Sequence, residues 1–187
     1  MKLYIKNMVC SRCIMVVSAE LEKLGLSPLL VQLGEVEIGE EIGLIKLEAI
    51  NHVLLKVGFS IVNDPKTRLV EKVKHVLLQR IQSLDKNQKI NLSMLLSDAL
   101  HREYSFISHT FSELEGTTIE HYFIAQKIEN AKELLSYGEL SLDQIADRLL
   151  YSSASHLSKQ FKKATGQNPT EFKQSRFRMD RIPIEQL

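Results

Sequence analysis

The C-terminal half of the 187-residue chain carries one pattern twice, at a spacing of 50 residues. Each copy has an apolar pair, then a helix that starts at a serine and has apolar positions four apart, and then a glycine. Eight matches at one spacing are hard to obtain from unrelated amphipathic helices, so we predict that the chain folds this unit twice. The matched positions are Leu95 with Ile145, Leu96 with Ala146, Ser105 with Ser155, Ile107 with Leu157, Ser108 with Ser158, Phe111 with Phe161, Gly116 with Gly166, and Tyr122 with Phe172.

The second copy, residues 141–172, predicts two short helices joined by a tight turn. Ser141 is suited to cap the first helix, and Ser155 is expected to cap the second. Gly166 ends the second helix, and Pro169 begins one further turn. The outward face of the second helix carries small polar groups and lysines, which is the layout of a helix that reads DNA in a helix-turn-helix unit.

These residues resemble the DNA-binding domain of AraC/XylS-type transcriptional regulators, over about the last hundred residues of the chain. The usual Gly-Phe of the family's turn is replaced here by Leu150-Tyr151. The resemblance implies an all-α domain over residues 91–187 that binds double-stranded DNA through helix-turn-helix units at about 91–117 and 141–175. The residues that carry it are Ile145, Ala146, Ser155, Phe161, Lys162, Lys163, Gly166, Pro169 and Phe172.

One helix, Thr118 to Tyr137, is predicted to join the two units, and Gly138 is expected to end it. At a rise of 1.5 Å per residue it is about 30 Å long, and one turn of duplex is about 34 Å. A rod of that length would hold both reading helices on one face of DNA without a second protomer.

The candidate DNA contacts lie on the two reading helices and beside the second turn. Lysine can donate to guanine, serine is tolerated at any base edge, and lysines further along a helix suit phosphates. Each lysine is otherwise an ordinary solvated charge, and His156 is expected at the rim. The first helix lacks Lys and Arg, so we predict that it contributes less affinity than the second. The candidates are Ser105, Ser108 and His109 on the first helix, and Ser152, Ser155, His156, Ser158, Lys159, Lys162 and Lys163 at the second.

The net charge of the whole chain is only +1, which argues against non-specific polyanion binding. The charge is uneven, however, because seven basic residues and only two acidic ones lie between Lys159 and Arg181. We therefore expect the attraction of phosphates to be concentrated there.

Residues 1–64 predict the element order βαββαβ, which is a ferredoxin-like layout. The chain is thus expected to be α+β, with this domain in front of the all-α one. The segment from Met8 to Cys13, with the later Gly58-Phe59, resembles a heavy-metal-associated domain. Asn7 stands where that family usually has Gly before the Met.

Cys10 and Cys13 are the only cysteines, and they are the candidate metal ligands. Two thiols suit a soft ion that takes few ligands, Cu(I) above all, and the helix N-terminus is expected to favour the thiolate of Cys13. A structural zinc would need four ligands, which two protomers could share. A disulfide switch, or a loop kept for the fold alone, also fits the sequence. A thiol oxidoreductase is disfavoured, because no acid-base residues accompany the cysteines.

Asp64-Pro65 is the expected domain boundary, and residues 65–90 form the connecting helix and linker. The apolar stripe of that helix, Lys66 to Leu84, suits packing on either domain or on a second copy. Hydrophobic residues make up 44% of the chain, but no run of 18 apolar residues is present, so no membrane span is expected. The N-terminus lacks an apolar signal core, so we expect a cytoplasmic location.

Together these patterns predict a transcriptional regulator that is not an enzyme. Its N-terminal domain either senses a soft metal ion or serves as an effector-independent module for dimerisation or protein interaction. We expect double-stranded DNA and the transcription machinery as partners, and the sequence leaves a homodimer open.

Overall fold

The computed structural model describes residues 1–83 and 91–174. The four strands of the N-terminal part form one antiparallel sheet in the order β2-β3-β1-β4. Its helices lie between β1 and β2 and between β3 and β4, as the sequence predicts. The elements are β1 (Lys2–Lys6), α1 (Ser11–Lys23), β2 (Pro28–Gln32), β3 (Glu35–Ile38), α2 (Leu44–Lys56) and β4 (Ser60–Ile61).

One face of this sheet is covered by α1 and α2. Side chains alternate along a strand, so Leu3 and Ile5 of β1 are buried while Tyr4 points to the other face. The buried residues of the strands share one core with Val17 and Leu21 of α1 and with residues of α2. Helix α2 ends at Lys56, and Val57 after it is exposed.

The rest of the described chain is helical. The helices α5 and α8 begin and end 50 residues apart, which confirms the repeat. Asn91, Thr118 and Ser141 cap the helices that follow them. The helices are α3 (Pro65–Gln82), α4 (Leu92–Leu100), α5 (Tyr104–Glu115), α6 (Ile119–Tyr137), α7 (Leu142–Arg148), α8 (Ala154–Thr165) and α9 (Pro169–Gln174).

The two copies of the repeat bury equivalent side chains in the same way. Phe111 and Phe161 are both fully buried, and each meets a second aromatic ring edge-on. The ring centroids are 5.5 Å apart for Phe111 and Tyr122, and 5.4 Å apart for Phe161 and Phe172. All four rings contact one continuous core, so the two units are halves of a single packed domain.

The long helix α6 is buried around most of its circumference. Two of its buried lysines are accommodated in different ways. Lys132 Nζ donates to Glu129 Oε1 at 2.7 Å, and Lys127 Nζ lies 3.7 Å from the centre of the Tyr151 ring. A cation over an aromatic face is stabilised by the ring quadrupole, so these residues can be buried inside a helical core.

Helix α3 belongs to both hydrophobic cores. Val70, Val73, Leu77 and Ile81 pack into the C-terminal core, and Leu78 packs into the N-terminal one. The structure thus decides the partner that the sequence left open. Leu84, the predicted end of this helix, and the rest of the predicted linker to residue 90 lie outside the described residues, as do the residues after 174.

Polar contacts also hold the N-terminal part to α3. His75 Nε2 donates to the Met8 carbonyl at 2.7 Å, and Glu71 Oε2 accepts from the Asn7 amide at 3.2 Å. A Cβ added to Gly34 would lie 2.0 Å from His75 Cε1, so the β2–β3 turn approaches the imidazole as closely as a glycine allows. The two parts are therefore joined by specific packing.

Within residues 1–83 and 91–174, no helix combines the length and the apolar composition that a bilayer crossing requires.

We predict that His75 makes the stability of the protein depend on pH. Burial lowers the pKa of His75 below its ordinary value, so the unfolded chain takes up this proton more readily than the folded one. The resulting stability is full above the unfolded pKa of about 6.5 and is lost as pH falls through the folded pKa. His75→Gln keeps a donor for the Met8 carbonyl but does not titrate. Urea unfolding between pH 7.5 and pH 5 should show a larger loss of unfolding free energy in the wild type than in His75→Gln. An equal loss of unfolding free energy in the two proteins would contradict this role for His75.

Candidate nucleic-acid interface

Helix α8 is held by its buried residues and presents polar ones. Leu157 and Phe161 are fully buried. The helix begins after Ser153, whose side chain accepts from the His156 amide, so the predicted cap at Ser155 is wrong. Ser155 is the second residue of the helix and is exposed, so its hydroxyl can face a ligand.

The cations of α8 are exposed and unpaired within the described part of the chain. Lys159, Lys162 and Lys163 form no salt bridge there, while Ser158 between them is half-buried. Three unneutralised ammonium groups on a helix of 12 residues make this surface the natural place for an anionic partner.

Ser152 and His156 form a small polar cluster at the turn before α8. Ser152 Oγ and His156 Nδ1 are 3.1 Å apart, within hydrogen-bond distance. The His156 ring also meets the Tyr151 ring edge-on at 5.3 Å. These contacts fix the imidazole in the first turn of α8.

The turn between α7 and α8 explains the Leu150-Tyr151 departure. Leu150 adopts a left-handed backbone with φ of 61°, the conformation that glycine takes at least cost. Tyr151 is buried, and its amide donates to the Ala146 carbonyl at 2.9 Å. Lys127 packs over the Tyr151 ring, and burial lowers the pKa of Lys127 to about 8. The tyrosine thus fills an aromatic position of the core, and the leucine turns the chain.

The first reading helix, α5, has a different electrostatic character. Ser105 and His109 are exposed and Ser108 is half-buried, at the predicted positions. The helix has no cation. Its carboxylates are held by α3, because Lys66 Nζ lies 2.8 Å from Glu113 and Lys74 Nζ lies 2.9 Å from Glu115. These two pairs mask negative charge beside the reading surface.

Two residues near α5 were missed by the sequence reasoning. Phe106 is 48% exposed although it is aromatic, and Arg102 is exposed in the turn that precedes the helix. The 50-residue shift places Phe106 on His156 and Arg102 on Ser152, which are candidate contacts of the second unit. The repeat could therefore have identified both residues as candidates. An exposed aromatic ring on a reading helix is suited to contact the methyl group of thymine.

Both units pack on α6, whose 19 residues span about 28 Å. Helix α5 contacts α6 directly, and so does α8. The length predicted for the spacer is therefore present in the structure.

The two thiols lie together at the start of α1. Cys10 is the residue before the helix, and its Sγ is 3.4 Å from Sγ of Cys13. Burial raises the pKa of the Cys13 thiol, even though the Val9 amide donates to its sulfur at 3.5 Å. The expectation that the helix N-terminus favours a Cys13 thiolate is therefore wrong for this environment.

The loop before the cysteines is well defined by its contacts. Met8 is fully buried beneath it. Asn7 has φ of 73° and its side chain donates to the Gly58 carbonyl at 3.0 Å, so asparagine fills the place of a left-handed glycine. In the part of the chain that the structure describes, no group of three or more His, Cys, Asp or Glu side chains is placed to hold a metal ion.

A family model described as a helix-turn-helix domain matches residues 96–175. This part of the chain forms a helix-turn-helix domain. The matched span holds both reading helices and α6 between them, so the helix-turn-helix prediction for this part of the sequence is confirmed.

Two further comparisons agree with this assignment. The "Probable transcriptional regulator LumQ" of Photobacterium leiognathi is 26% identical over 119 residues, which are 64% of this chain and 46% of LumQ. The chain thus spans about half the length of this curated relative. The C-terminal domain of AraT, a response regulator from Geobacillus stearothermophilus, is 23% identical, with a TM-score of 0.50. That likeness covers 64% of this chain and 93% of the other, and it shows the fold of the helix-turn-helix domain.

We predict that the left-handed turn at Leu150 can be tested by two truncations. Leu150→Gly and Leu150→Ala remove the same side chain, but only glycine adopts this φ without strain. The glycine variant should therefore be more stable than the alanine variant by about 1 kcal/mol. Chemical unfolding of both proteins checks the difference, and an alanine variant that is equally or more stable would rule out the left-handed turn.

Proposed function

We propose that this protein is a sequence-specific DNA-binding transcriptional regulator of the AraC type. The observation that carries the proposal is the exposed face of α8, where Lys159, Lys162 and Lys163 form no salt bridge with any described residue. Helix-turn-helix domains place such a helix in the major groove. The proposal includes double-stranded DNA and the transcription machinery as partners, and it includes no enzymatic activity.

The position along α8 divides the roles of its side chains. Ser155 and Lys159 lie in the first half of the helix, where base edges are reached, and lysine is a donor to guanine. Lys162 and Lys163 lie in the last turn and are assigned to phosphates, which position the helix without reading sequence. Ser158 is half-buried and Ser152 is bonded to His156, so both have less freedom to contact DNA.

The first reading helix is assigned a smaller share of the affinity. Its candidates Ser105, Ser108 and His109 offer neutral contacts, to which the structure adds the exposed ring of Phe106. Because Lys66 and Lys74 already neutralise its carboxylates, the helix does not repel phosphates strongly, but it has no cation of its own to attract them.

We predict that alanine at Lys159 weakens DNA binding more than alanine at His109. Loss of a base contact from Lys159 should cost about 1–3 kcal/mol, which is roughly 5- to 150-fold in affinity. Loss at His109 should be under about threefold. Gel shifts at one fixed salt concentration, on a duplex selected by the wild-type protein from a random pool, measure both. An equal or larger loss at His109 would reverse the ranking.

The double variant Lys162→Ala/Lys163→Ala tests the assignment of these two lysines to phosphates, and it is compared with Lys159→Ala. Removing phosphate contacts should weaken binding to selected and scrambled duplexes alike and lower the slope of log K against log salt by about one per contact. Lys56→Ala, an exposed lysine in the N-terminal part, is the control and should change neither quantity.

We further infer that residues 1–64 fold as a ferredoxin-like domain. The support is the element order together with the strand order β2-β3-β1-β4, in which β1 and β2 are separated by β3. A helix connects β1 to β2 across the inserted strand, which is the arrangement of a split βαβ unit.

We propose that Cys10 and Cys13 let this domain sense a soft metal ion. The donor set fits a soft ion of low coordination number such as Cu(I), because two sulfurs lie 3.4 Å apart in one loop. It does not fit a structural zinc held by one chain, which needs four ligands. The loop also contacts α3 through Met8 and His75, so a ligand on the cysteines would lie one contact from the helix that packs on α5.

A second candidate role is favoured by an exposed apolar edge. Leu29 and Leu30 are 71% and 49% exposed on β2, which lies at one edge of the described sheet. An exposed strand edge can pair with a strand of another chain. In this alternative the domain is an effector-independent module for dimerisation or protein interaction.

We predict that Cys10→Ser/Cys13→Ser abolishes tight Cu(I) binding and any change of DNA affinity that Cu(I) causes. Serine keeps the size of each side chain but removes the soft donor. Titration of Cu(I), Zn(II) and Cd(II) into the full chain, followed by gel shifts with and without each ion, checks this. A double variant with the same metal-dependent DNA binding as the wild type would exclude the sensing role. Self-association of the full chain in sedimentation without metal would favour the interaction module instead.

A further inference from the structure

Two adjoining cavities lie between the N-terminal sheet, α3 and the first helix-turn-helix unit. Their volumes are about 290 Å³ and about 440 Å³. Four side chains, Tyr4, Arg68, Lys72 and Leu100, line both cavities, so the two cavities adjoin along these residues and are treated together as one groove. We call it the interdomain groove. Its volumes fall in the range of small-molecule sites in proteins.

The interdomain groove has an excess of positive charge. Arg68, Lys72 and Arg102 line it, and none of them forms a salt bridge with a residue that the structure describes. Its two acidic residues are already engaged. Glu35 pairs with Lys2 at 2.7 Å, and Glu71 pairs with Lys74 at 3.2 Å while accepting from the Asn7 amide. The three cations therefore set the charge that a ligand would meet.

Arg68 and Lys72 are arranged around one aromatic ring. The Arg68 guanidinium carbon is 4.6 Å from the centre of the Tyr4 ring, and Lys72 Nζ is 5.5 Å from it. One terminal nitrogen of Arg68 donates to the Asn63 carbonyl. Its Nε is buried and has no hydrogen-bond partner. A buried donor without a partner is costly, and an anion bound beside the guanidinium would satisfy it.

Apolar side chains also line the groove. They include Leu69, Leu100 and the half-exposed ring of Phe106. A ligand that fits both parts has an anionic group for the cations and a flat or apolar body for these side chains.

We propose that the interdomain groove binds a small organic anion, with a carboxylate or phosphate group held by Arg68 and Lys72 and an apolar body packed between Tyr4, Leu100 and Phe106. Such a ligand contacts the N-terminal sheet and the α4–α5 turn at the same time. Its binding energy therefore depends on how these two parts are placed relative to each other, which links the groove to the reading helix α5. The site is separate from the cysteine loop and does not require it.

The test uses the full-length protein without DNA and 8-anilinonaphthalene-1-sulfonate, a fluorescent organic anion, as the probe. We expect saturable binding by the wild type. Benzoate should displace the probe, and benzamide, its neutral analogue, should not. Arg68→Gln/Lys72→Gln should bind the probe about tenfold more weakly or worse, because both charge-assisted contacts are lost. Ala99→Trp, which fills the groove and keeps every cation, should have the same effect.

The matched control is Lys46→Gln/Lys56→Gln, which removes two exposed lysines outside the groove and should leave probe binding unchanged. Circular dichroism verifies folding. If loss of the Arg68 contact to Asn63 unfolds the first variant, Lys72→Gln/Arg102→Gln replaces it, since both side chains are exposed and the same weakening is expected.

Three results would overturn the proposal. They are no saturable binding by the wild type, unchanged binding by the charge and Ala99→Trp variants, and equal displacement by benzamide. One DNA-binding result would also contradict it. If Lys72→Gln/Arg102→Gln binds DNA more weakly but binds the probe as the wild type does, these cations are assigned to DNA phosphates. Because the probe assay contains no DNA, it does not depend on the regulator assignment.

Discussion

The structure depends on the packing of one helix into two cores. Apolar residues of α3 on one side complete the core of the helix-turn-helix domain, and Leu78 on the other side enters the core beneath the sheet. Polar contacts reinforce this at His75 and Glu71. Removing α3 from either side would expose buried apolar surface, so the arrangement of the two parts is fixed by the same hydrophobic effect that folds each of them.

Three of the candidate sites of the protein lie beside that helix. The loop before the cysteines is bonded to its middle, the interdomain groove runs along its first half, and its lysines pair with the carboxylates of α5. A single rigid element with three such neighbours is a physical route by which occupancy of one site can alter another. The proposals for the cysteines and for the groove use this helix in different ways, so each stands without the other.

The two reading helices show how one scaffold carries two different surfaces. The buried residues of the repeat are equivalent, down to the edge-on ring pairs, because each unit has to fill the same space against α6. The exposed residues are free of that constraint, and they diverge to lysines on α8 and to serine, histidine and phenylalanine on α5. The core therefore preserves the geometry, while the exposed residues give the two helices different charge.

The sequence by itself determined the repeat, most helix ends and the exposure of most candidate contacts. These follow from local rules, since caps, glycine stops and apolar spacing act within a few residues. Tertiary structure alone decided the partner of α3, the left-handed Leu150, the cap at Ser153, the raised pKa of Cys13 and the interdomain groove. Each of these depends on contacts between residues far apart in the chain or on the backbone geometry of a turn. A periodic pattern in the sequence encodes neither.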